Sequence, residues 1–371
     1  MPMLIFTKPL EAATLIKKTS TLMENKVYLK EEDLGFQPKW SEIFNNLNPI
    51  YVEIGIGNGE FIVHLAKTYP HFNFVGTEFC REVLRKALKR AEREGLSNLR
   101  LLPMEGTKLL IKGFTSESIS GLYLNFPDPW DKRKKRRNRL VNEAFVWLLA
   151  DRLKEGGFFR MATDHRPYLE EVVKLFTTNE AFSPLWEELI RTEIEDFYPT
   201  KYARKWLSQG LPLYFTGFKK IKRVRLPDWI KEKYPLLRLT KEDYVPIISV
   251  LKVKDLQDFR ALAKAISKGI LYQSEGDLIK VLDVYTKEDG LLIDLIVLEK
   301  SLQQRFFVAV NPYETRGIII SVHSSDHPDP TDGVHLAISL ITHKIWSFLS
   351  ESELIKTTCK TKLFNLSKTL V

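Results

Sequence analysis

Between residue 50 and about residue 222, short apolar runs alternate with stretches whose apolar residues recur at helical spacing. Neighbouring parallel strands need a crossover connection, usually a helix, so repeated strand–helix–strand units are typical of a doubly wound, mostly parallel sheet. We therefore predict an α/β fold for this part of the chain. The predicted strands are 51–54, 72–78, 99–102, 121–126 and 158–163.

Helical spacing and glycine positions predict the elements between and after these strands. Gly156 and Gly157 are predicted to end the helix that precedes the fifth strand, because glycine is common just beyond helix ends. Residues 186–191 and 213–221 are predicted to form an antiparallel pair that closes the sheet. The predicted helices are 61–67, 83–94, 140–149 and 201–208.

Prolines interrupt this pattern at Leu226-Pro227-Asp228-Trp229 and Tyr234-Pro235, where the charge balance also changes. Residues 232–371 carry 18 of the 56 basic and 18 of the 47 acidic residues, so the net charge of +9 resides in the part before them. Apolar runs and one long helical stretch predict a small α+β module after the break. The predicted parts are an N-terminal arm (1–48), the α/β domain (49–230) and a C-terminal extension of unknown role (231–371).

Composition limits the compartment and the partner. No run approaches the roughly 18 consecutive apolar residues of a membrane span, and the amino terminus lacks the apolar core of a signal peptide. The two cysteines, Cys80 and Cys359, fit a reducing compartment. We therefore expect a cytoplasmic protein without a membrane partner, and the excess of positive charge favours a polyanion.

A glycine-rich loop follows the first predicted strand and opens a helix. Gly55, Gly57 and Gly59 would let backbone N–H groups approach a ligand closely. The fingerprint for dinucleotides requires glycine one position later, where Glu60 stands, so the loop does not favour NAD.

Carboxylates beside this loop favour a cationic cofactor. Glu53 precedes the loop and could face an amine, while Glu78 ends the second strand, where a carboxylate can accept from ribose hydroxyls. Such charges would repel a pyrophosphate but suit the ammonium and sulfonium groups of S-adenosylmethionine. Glu105, after the third strand, is a candidate to contact the adenine amino group. The alternative is a structural turn with solvated glutamates.

A proline-stiffened turn, Asn125 to Trp130, lies at the carboxyl end of the fourth predicted strand, which borders the ligand crevice in open α/β sheets. Pro127 and Pro129 restrict the backbone around Asp128. An aromatic ring beside a fixed carboxylate suits a nucleobase, which the ring can stack on and the acid can accept from. The alternative is a proline turn with a core tryptophan.

Seven cations in eight residues follow this turn, from Lys132 to Arg139. A charge run by itself is usually a solvated face or a localisation signal. Its place beside a turn suited to a base predicts that it holds phosphates near the active site.

Together these motifs resemble the bacterial tRNA (guanine-N7)-methyltransferases over about residues 50–222. The turn with its basic run carries the specificity of this resemblance, whereas the glycine loop alone marks only the superfamily. The matching segments are 53–59, 75–78, 125–130 with the basic run, 163–164 and 200–202.

The resemblance implies a Rossmann-like methyltransferase that uses S-adenosylmethionine, has tRNA as its partner and methylates guanine N7, at the variable-loop guanine (position 46). It implies that the cofactor is bound by the residues corresponding to Glu53, Gly55, Gly57, Gly59, Glu78, Glu105 and Asp128, and that Asp128 is also the catalytic residue. Substrate-binding residues correspond to Lys132, Asp164, Thr200, Lys201 and Tyr202.

The chain departs from the family pattern at two places. Glu105 stands where aspartate or asparagine is frequent, and Tyr202-Ala203 stands where the family has Phe-Glu. The second departure puts the role of position 203 in doubt, and Arg204 and Glu195 are candidates to replace it. Residues 232–371 have no recognised counterpart in the family.

Other functions stay open at this point. The turn superficially resembles the Asp-Pro-Pro-aromatic motif of exocyclic-amine methyltransferases, although Asp128 separates its two prolines. A non-catalytic RNA-binding protein with a vestigial cofactor pocket is the alternative from another class. His323, His327 and His335 lie near three aspartates, but Asp-Pro-rich segments are usually surface loops, so no stable metal is expected. The sequence leaves the oligomeric state open.

Overall fold

The computed structural model of the protein describes residues 27–254, 259–314, 317–349 and 351–371. The predicted arm therefore lies largely outside the described residues. The chain divides into two compact units, Met1–Leu226 and Pro227–Val371.

The first unit contains a seven-stranded sheet with helices between the strands. Its strands are β1 (Ile50–Ile54), β2 (Asn73–Thr77), β3 (Leu99–Leu102), β4 (Ile119–Asn125), β5 (Leu153–Thr163), β6 (Phe182–Pro184) and β7 (Tyr214–Lys220). Its helices are α1 (Glu31–Leu34), α2 (Trp40–Phe44), α3 (Glu60–Thr68), α4 (Arg81–Arg93), α5 (Gly106–Lys112), α6 (Glu143–Arg152), α7 (Arg166–Thr177) and α8 (Lys201–Leu207), with a 3-10 helix at Arg133–Asn138.

The strand order is β3-β2-β1-β4-β5-β7-β6. Strands β1 to β5 pair in parallel, and β7 runs antiparallel to both β5 and β6. The predicted doubly wound, mostly parallel sheet is thereby confirmed. Strands β2 and β3 lie on one side of β1, whereas β4 and β5 lie on the other side, so the strand order switches between β1 and β4. The carboxyl ends of strands at such a switch point form a ligand crevice.

Burial explains why β2 and β3 read as mostly apolar runs. Every residue of β2 and β3 is buried, as expected for parallel strands covered by helices on both faces. On one face of the sheet, Ile62 of α3 and Leu84 of α4 belong to one hydrophobic cluster with Leu101 of β3.

Two local predictions in the first unit are wrong. Helix α6 ends at Arg152, and Gly156 and Gly157 lie inside β5, where the pairing with β4 shifts register between Ile119 and Gly121. Gly156 has a φ of +81°, so the glycines serve this irregularity and not a helix end.

The predicted strand at 186–191 is the second error. On the side of β7 away from β5, the paired strand is β6, and only Arg191 from the predicted segment forms a bridge, with Phe215.

The second unit is an antiparallel sheet with a long helix, which confirms the predicted α+β module. Its strands are β8 (Ile248–Val253), β9 (Gly269–Ser274), β10 (Asp277–Lys287), β11 (Gly290–Glu299), β12 (Leu302–Tyr313), β13 (Gly317–Val322) and β14 (Ser352–Thr357). Its helices are α9 (Asp228–Lys233), α10 (Phe259–Ala263), α11 (Asp332–Phe348) and α12 (Thr361–Leu370), with 3-10 turns at Pro235–Arg238 and Lys241–Asp243.

The order in this sheet is β14-β8-β13-β12-β11-β10-β9. Buried residues of β11, such as Ile293 and Leu295, belong to one core with Ile338 and Ile341 of α11. None of the helices in the described ranges is long and apolar enough to span a membrane.

Candidate functional site

The glycine loop joins β1 to α3 in a conformation that favours glycine. Gly55, Gly57 and Gly59 have φ values of +73°, +53° and +77°, which side chains other than glycine rarely adopt. Gly59 also approaches α4 closely, because a Cβ atom there would lie 2.7 Å from the Cβ of Ala87. The loop can therefore hold its path beside α4 only with glycine at position 59.

Glu53 lies just before this loop and is only 2% exposed. The Asn125 side-chain amide donates to its Oε1 at 2.9 Å, whereas its buried Oε2 has no hydrogen-bond partner among the described residues. Burial raises the pKa of the Glu53 carboxyl to about 8, and hydrogen bonding opposes that rise only in part. A bound cation is the kind of group that would satisfy this carboxylate.

Glu78 and Glu105 follow β2 and β3. Glu78 accepts from the backbone N–H groups of Gly57 (3.1 Å) and Cys80 (3.0 Å), so it fixes the glycine loop against the start of α4. Glu105 caps α5 and accepts from the N–H groups of Thr107 and Lys108. Its predicted contact with adenine stays a prediction, and capping gives this carboxylate a structural task as well.

The turn after β4 holds Asp128 on a strained backbone. Phe126 and Trp130 have φ values of +52° and +44°, which are unfavourable for bulky side chains and cluster at functional sites. The Arg139 guanidinium donates to the carbonyl of Pro129 at 2.6 Å and holds the turn from outside. Asp128 itself is exposed.

One cavity of about 810 Å³ collects most of the predicted site residues at the carboxyl edge of the sheet. Three predicted residues lie outside its lining: Gly59 packs against α4, Lys132 is exposed before the 3-10 helix, and Asp164 accepts from the Tyr202 hydroxyl at 3.2 Å. The predicted residues that line it are Glu53, Gly55, Gly57, Glu78, Glu105, Asp128, Thr200, Lys201 and Tyr202.

The basic run divides into an exposed part and one buried member. Residues 132–138 are exposed, and the 3-10 helix arranges Arg133 to Arg137 over a short length. Arg139 is only 6% exposed, pairs with Glu171 and lies over the Tyr168 ring. It therefore supports the Asp128 turn, whereas the exposed cations stand outside the core.

Sequence reasoning missed a contact between Glu60, which directly follows the glycine loop, and α8. The Glu60 carboxylate accepts from the backbone N–H of Lys201 and lies 3.4 Å from the guanidinium groups of Arg204 and Arg90. The only sequence signal is that Glu60 stands where a dinucleotide loop would have glycine, and this signal by itself bears on the choice of cofactor. Its partners lie too far along the chain for a local pattern to reveal them.

The two residues considered as replacements at position 203 lie in different places. Ala203 is fully buried against Ala162, Leu213 and Phe215, and Arg204 faces Glu60. Glu195 lines a neighbouring aromatic cavity of about 580 Å³ and does not line the larger cavity. That Arg204 or Glu195 takes over the role of the glutamate expected at position 203 stays a prediction.

Polar residues of the Asp-Pro-rich segment make contacts within the second unit. Tyr244 donates to Asp329 at 3.0 Å, and the Lys360 N–H donates to His335 Nδ1 at 3.3 Å. Burial lowers the pKa of His335 to about 4. No group of three or more His, Cys, Asp or Glu side chains in the described part of the chain could hold a metal ion.

Comparison with known proteins gives matches centred on the first unit. A family described as "Putative methyltransferase" matches residues 47–216. A tRNA (guanine-N(7)-)-methyltransferase of Listeria monocytogenes is 35% identical over 189 residues, 51% of this chain and 87% of that protein. A protein of the same name from Geobacter metallireducens is 31% identical over 194 residues, 52% of this chain and 92% of that protein.

A relative from Thermotoga maritima, also named tRNA (guanine-N(7)-)-methyltransferase, matches a longer part. It is 29% identical over 292 residues, 78% of this chain and 88% of that protein. The first unit ends at Leu226, so this alignment must extend into the second unit. Part of the C-terminal extension therefore has a counterpart in this relative, contrary to the expectation from sequence.

Proposed function

Because the chain belongs to the tRNA (guanine-N7)-methyltransferase family, we propose that it transfers a methyl group from S-adenosylmethionine to guanine N7 in tRNA. The proposed target is the variable-loop guanine (position 46). The observation that carries the proposal is that Glu53, Glu78 and Asp128 line one cavity. The carboxylates proposed to bind the methyl donor therefore share a site with the carboxylate proposed to bind the guanine that accepts the methyl group.

The residues around the glycine loop fit S-adenosylmethionine. The buried, unpartnered Oε2 of Glu53 would bind the ammonium group of the methionine moiety. Glu78 would accept from the ribose hydroxyls, and Glu105 would lie near the adenine. The cavity of about 810 Å³ is within the usual size of small-molecule sites. Bound S-adenosylmethionine would supply an electrophilic methyl group on its sulfonium.

Asp128 and its neighbours would orient the guanine. N7 of guanine carries a free lone pair, so no base has to remove a proton before transfer. Asp128 would accept from N1–H or the exocyclic amine, and its charge would stabilise the positive charge that develops on the purine. Trp130 and Tyr202 line the same cavity and would contact the base. Lys132 and the other exposed cations would bind phosphates.

The function is tested with purified protein, unmodified total tRNA and S-adenosylmethionine labelled in the methyl group. Incorporated label should map to N7-methylguanine when the RNA is cleaved chemically at that base. Label in an exocyclic amine would overturn the proposal in favour of an amine methyltransferase. Cofactor or RNA binding without any transfer would favour a non-catalytic RNA-binding protein.

The role of Asp128 is tested by Asp128→Asn, which removes the charge and preserves the size. We expect the single-turnover rate at saturating cofactor to fall about 100-fold or more, as for loss of other preorganised charge-stabilising groups. Asp131→Asn is the matched control, because Asp131 is an exposed carboxylate of the next segment that pairs with His165 and does not line the cavity. A near-normal rate in Asp128→Asn would contradict the role.

A further inference from the structure

Glu60 links the glycine loop to the segment proposed to contact substrate. It is the first residue of α3 and only 9% exposed. A carboxylate at the start of a helix is favoured by the helix dipole, which would account for an acidic residue there. The helix dipole does not account for the contacts of the Glu60 carboxylate, because its partners belong to two other helices, α4 and α8.

The partner in α8 is the backbone at the start of that helix. The first N–H groups of a helix have no partner within it, and Thr200 satisfies the one at Ala203 at 3.3 Å. Glu60 satisfies the N–H of Lys201, and Arg204 of the same helix lies beside both carboxylate oxygens at 3.4 Å. The start of α8 is therefore fixed by the residue that directly follows the glycine loop.

Arg90 of α4 fixes the same carboxylate to the glycine loop. Its guanidinium lies 3.4 Å from Glu60 Oε1 and donates to the carbonyl of Asn58 at 3.3 Å. The Asn58 side chain accepts in turn from the Glu60 N–H at 3.3 Å. A shift of the loop at Asn58 would therefore move the Glu60 carboxylate as well.

Helix α8 carries this connection to the catalytic turn. The Tyr202 hydroxyl donates to Asp164, and the centre of the Tyr202 ring lies 5.0 Å from that of Phe126, two residues before Asp128. The Trp206 ring stacks on the same tyrosine, with the ring centres 5.5 Å apart. Contacts thus run from the loop through Glu60 and α8 to the residues around the proposed base site.

We propose that Glu60 is a positioning residue that couples cofactor binding to RNA binding. Ordering of the glycine loop by the cofactor fixes Glu60, which fixes the start of α8 and so prepares Tyr202 for the RNA. Coupling between two sites is reciprocal, so RNA tightens the cofactor by the same factor. This inference rests on the proposed function, because it takes the two ligands from it.

The test compares dissociation constants of the cofactor in Glu60→Ala and in the unchanged protein, with and without saturating tRNA. The tRNA carries adenine in place of the target guanine, so that no methyl transfer consumes the cofactor. We expect tRNA to tighten S-adenosylmethionine at least about fivefold in the unchanged protein, the lower end of typical coupling. In Glu60→Ala, the cofactor dissociation constants with and without tRNA should differ by less than twofold. Glu60→Gln, which keeps an acceptor for the Lys201 N–H but loses the charge beside two arginines, should give an intermediate factor.

Glu94→Ala is the matched control. Glu94 pairs with Lys67 at 2.7 Å and thereby also joins the ends of α3 and α4, but it makes no contact with α8 in the described structure. This variant should keep the coupling factor of the unchanged protein. A ratio of two dissociation constants also cancels any equal loss of folded protein, so a general loss of stability does not imitate the effect.

Amide hydrogen exchange gives a second readout. Addition of S-adenosylmethionine without RNA should slow exchange in residues 200–208 of the unchanged protein and leave it unchanged in Glu60→Ala. The inference is overturned if Glu60→Ala keeps the full coupling factor, or if the unchanged protein binds both ligands without coupling. Absence of cofactor or tRNA binding in the unchanged protein would instead overturn the proposed function.

Discussion

Glu53→Gln should abolish the release of a proton when the cofactor binds. The Glu53 carboxyl is buried, one of its oxygens has no partner in the described structure, and its pKa is about 8. At pH 6.5 such a group is about 97% protonated, from the difference between its pKa and the pH. Pairing with the ammonium group of S-adenosylmethionine requires the ionised form, so about one proton must leave for each cofactor bound.

The structure also sets the size of the penalty. Ionising this carboxyl at pH 6.5 costs about 2 kcal/mol, at 1.36 kcal/mol for each unit between pH and pKa. Affinity at pH 6.5 is therefore about 30-fold lower than for a carboxylate that is already ionised. The glutamine variant avoids this cost but loses the charge pair, so it should bind the cofactor more weakly and without proton release.

The assay is titration calorimetry at pH 6.5 in buffers with different ionisation enthalpies, whose slope gives the number of protons released. The α-amino group of a ligand is mostly protonated at that pH, so it contributes little to the count. Equal proton release in the unchanged protein and in Glu53→Gln, or none in either, would refute the assignment of Glu53 as the partner of the ammonium group.

The raised pKa also predicts how stability depends on pH without cofactor. The folded protein holds this proton more tightly than the unfolded chain, whose glutamate has a pKa near 4.5. The free energy of unfolding should therefore fall as the pH rises from about 4.5 to about 8, by up to about 5 kcal/mol from this group. Denaturation at pH 5 and pH 8.5 should show a smaller fall in Glu53→Gln, and an unchanged fall would contradict the raised pKa.

Two further predictions concern the basic run and the glycine loop. Arg133→Gln with Lys134→Gln should lower the slope of log affinity for tRNA against log salt by about 1.4 to 1.8, or about 0.7 to 0.9 for each phosphate that is no longer neutralised. Lys154→Gln with Lys219→Gln should leave it unchanged, because these exposed lysines, near the start of β5 and the end of β7, do not line the cavity. Equal slopes in the two double variants would contradict a phosphate-binding role. Gly59→Ala should destabilise the protein by about 1–3 kcal/mol in chemical denaturation, from its positive φ and its contact with Ala87. Gly95→Ala, with a φ of +63° and open space around its Cβ, tests the backbone strain alone, and equal destabilisation would show that the contact with α4 is unimportant.

Local sequence patterns were sufficient for the order of the elements. Apolar runs separated by helical stretches predicted the parallel sheet, because a short stretch of chain contains the periodicity that decides strand or helix. The errors arose where neighbouring elements decide the conformation. Gly156 and Gly157 look like a helix end in sequence, but pairing with β4 draws them into a strand. The segment at 186–191 has a strand-like composition, yet β6 takes the pairing with β7.

The family and the main candidate residues also followed from the sequence. In the motifs at 53–59 and 125–130, the residues expected to face a ligand lie within a few positions of each other, so a short stretch of sequence contains the whole motif. Each of these motifs ends a parallel strand, and such ends meet at one edge of the sheet. The sequence alone therefore predicts that Glu53, Glu78 and Asp128 lie around one crevice. Their roles in binding and catalysis remain predictions.

The tertiary structure alone decided which residues support those motifs. Arg139 reads as one more cation in a solvated run, but it is buried against Tyr168 and holds the turn at Pro129. Glu60 and Lys201 are 141 residues apart in the chain and in direct contact in the fold. Local patterns fix backbone conformation through contacts within a few residues, whereas a buried side chain takes its partners from whatever the packed fold brings near it, and those partners leave no periodic signal in the sequence.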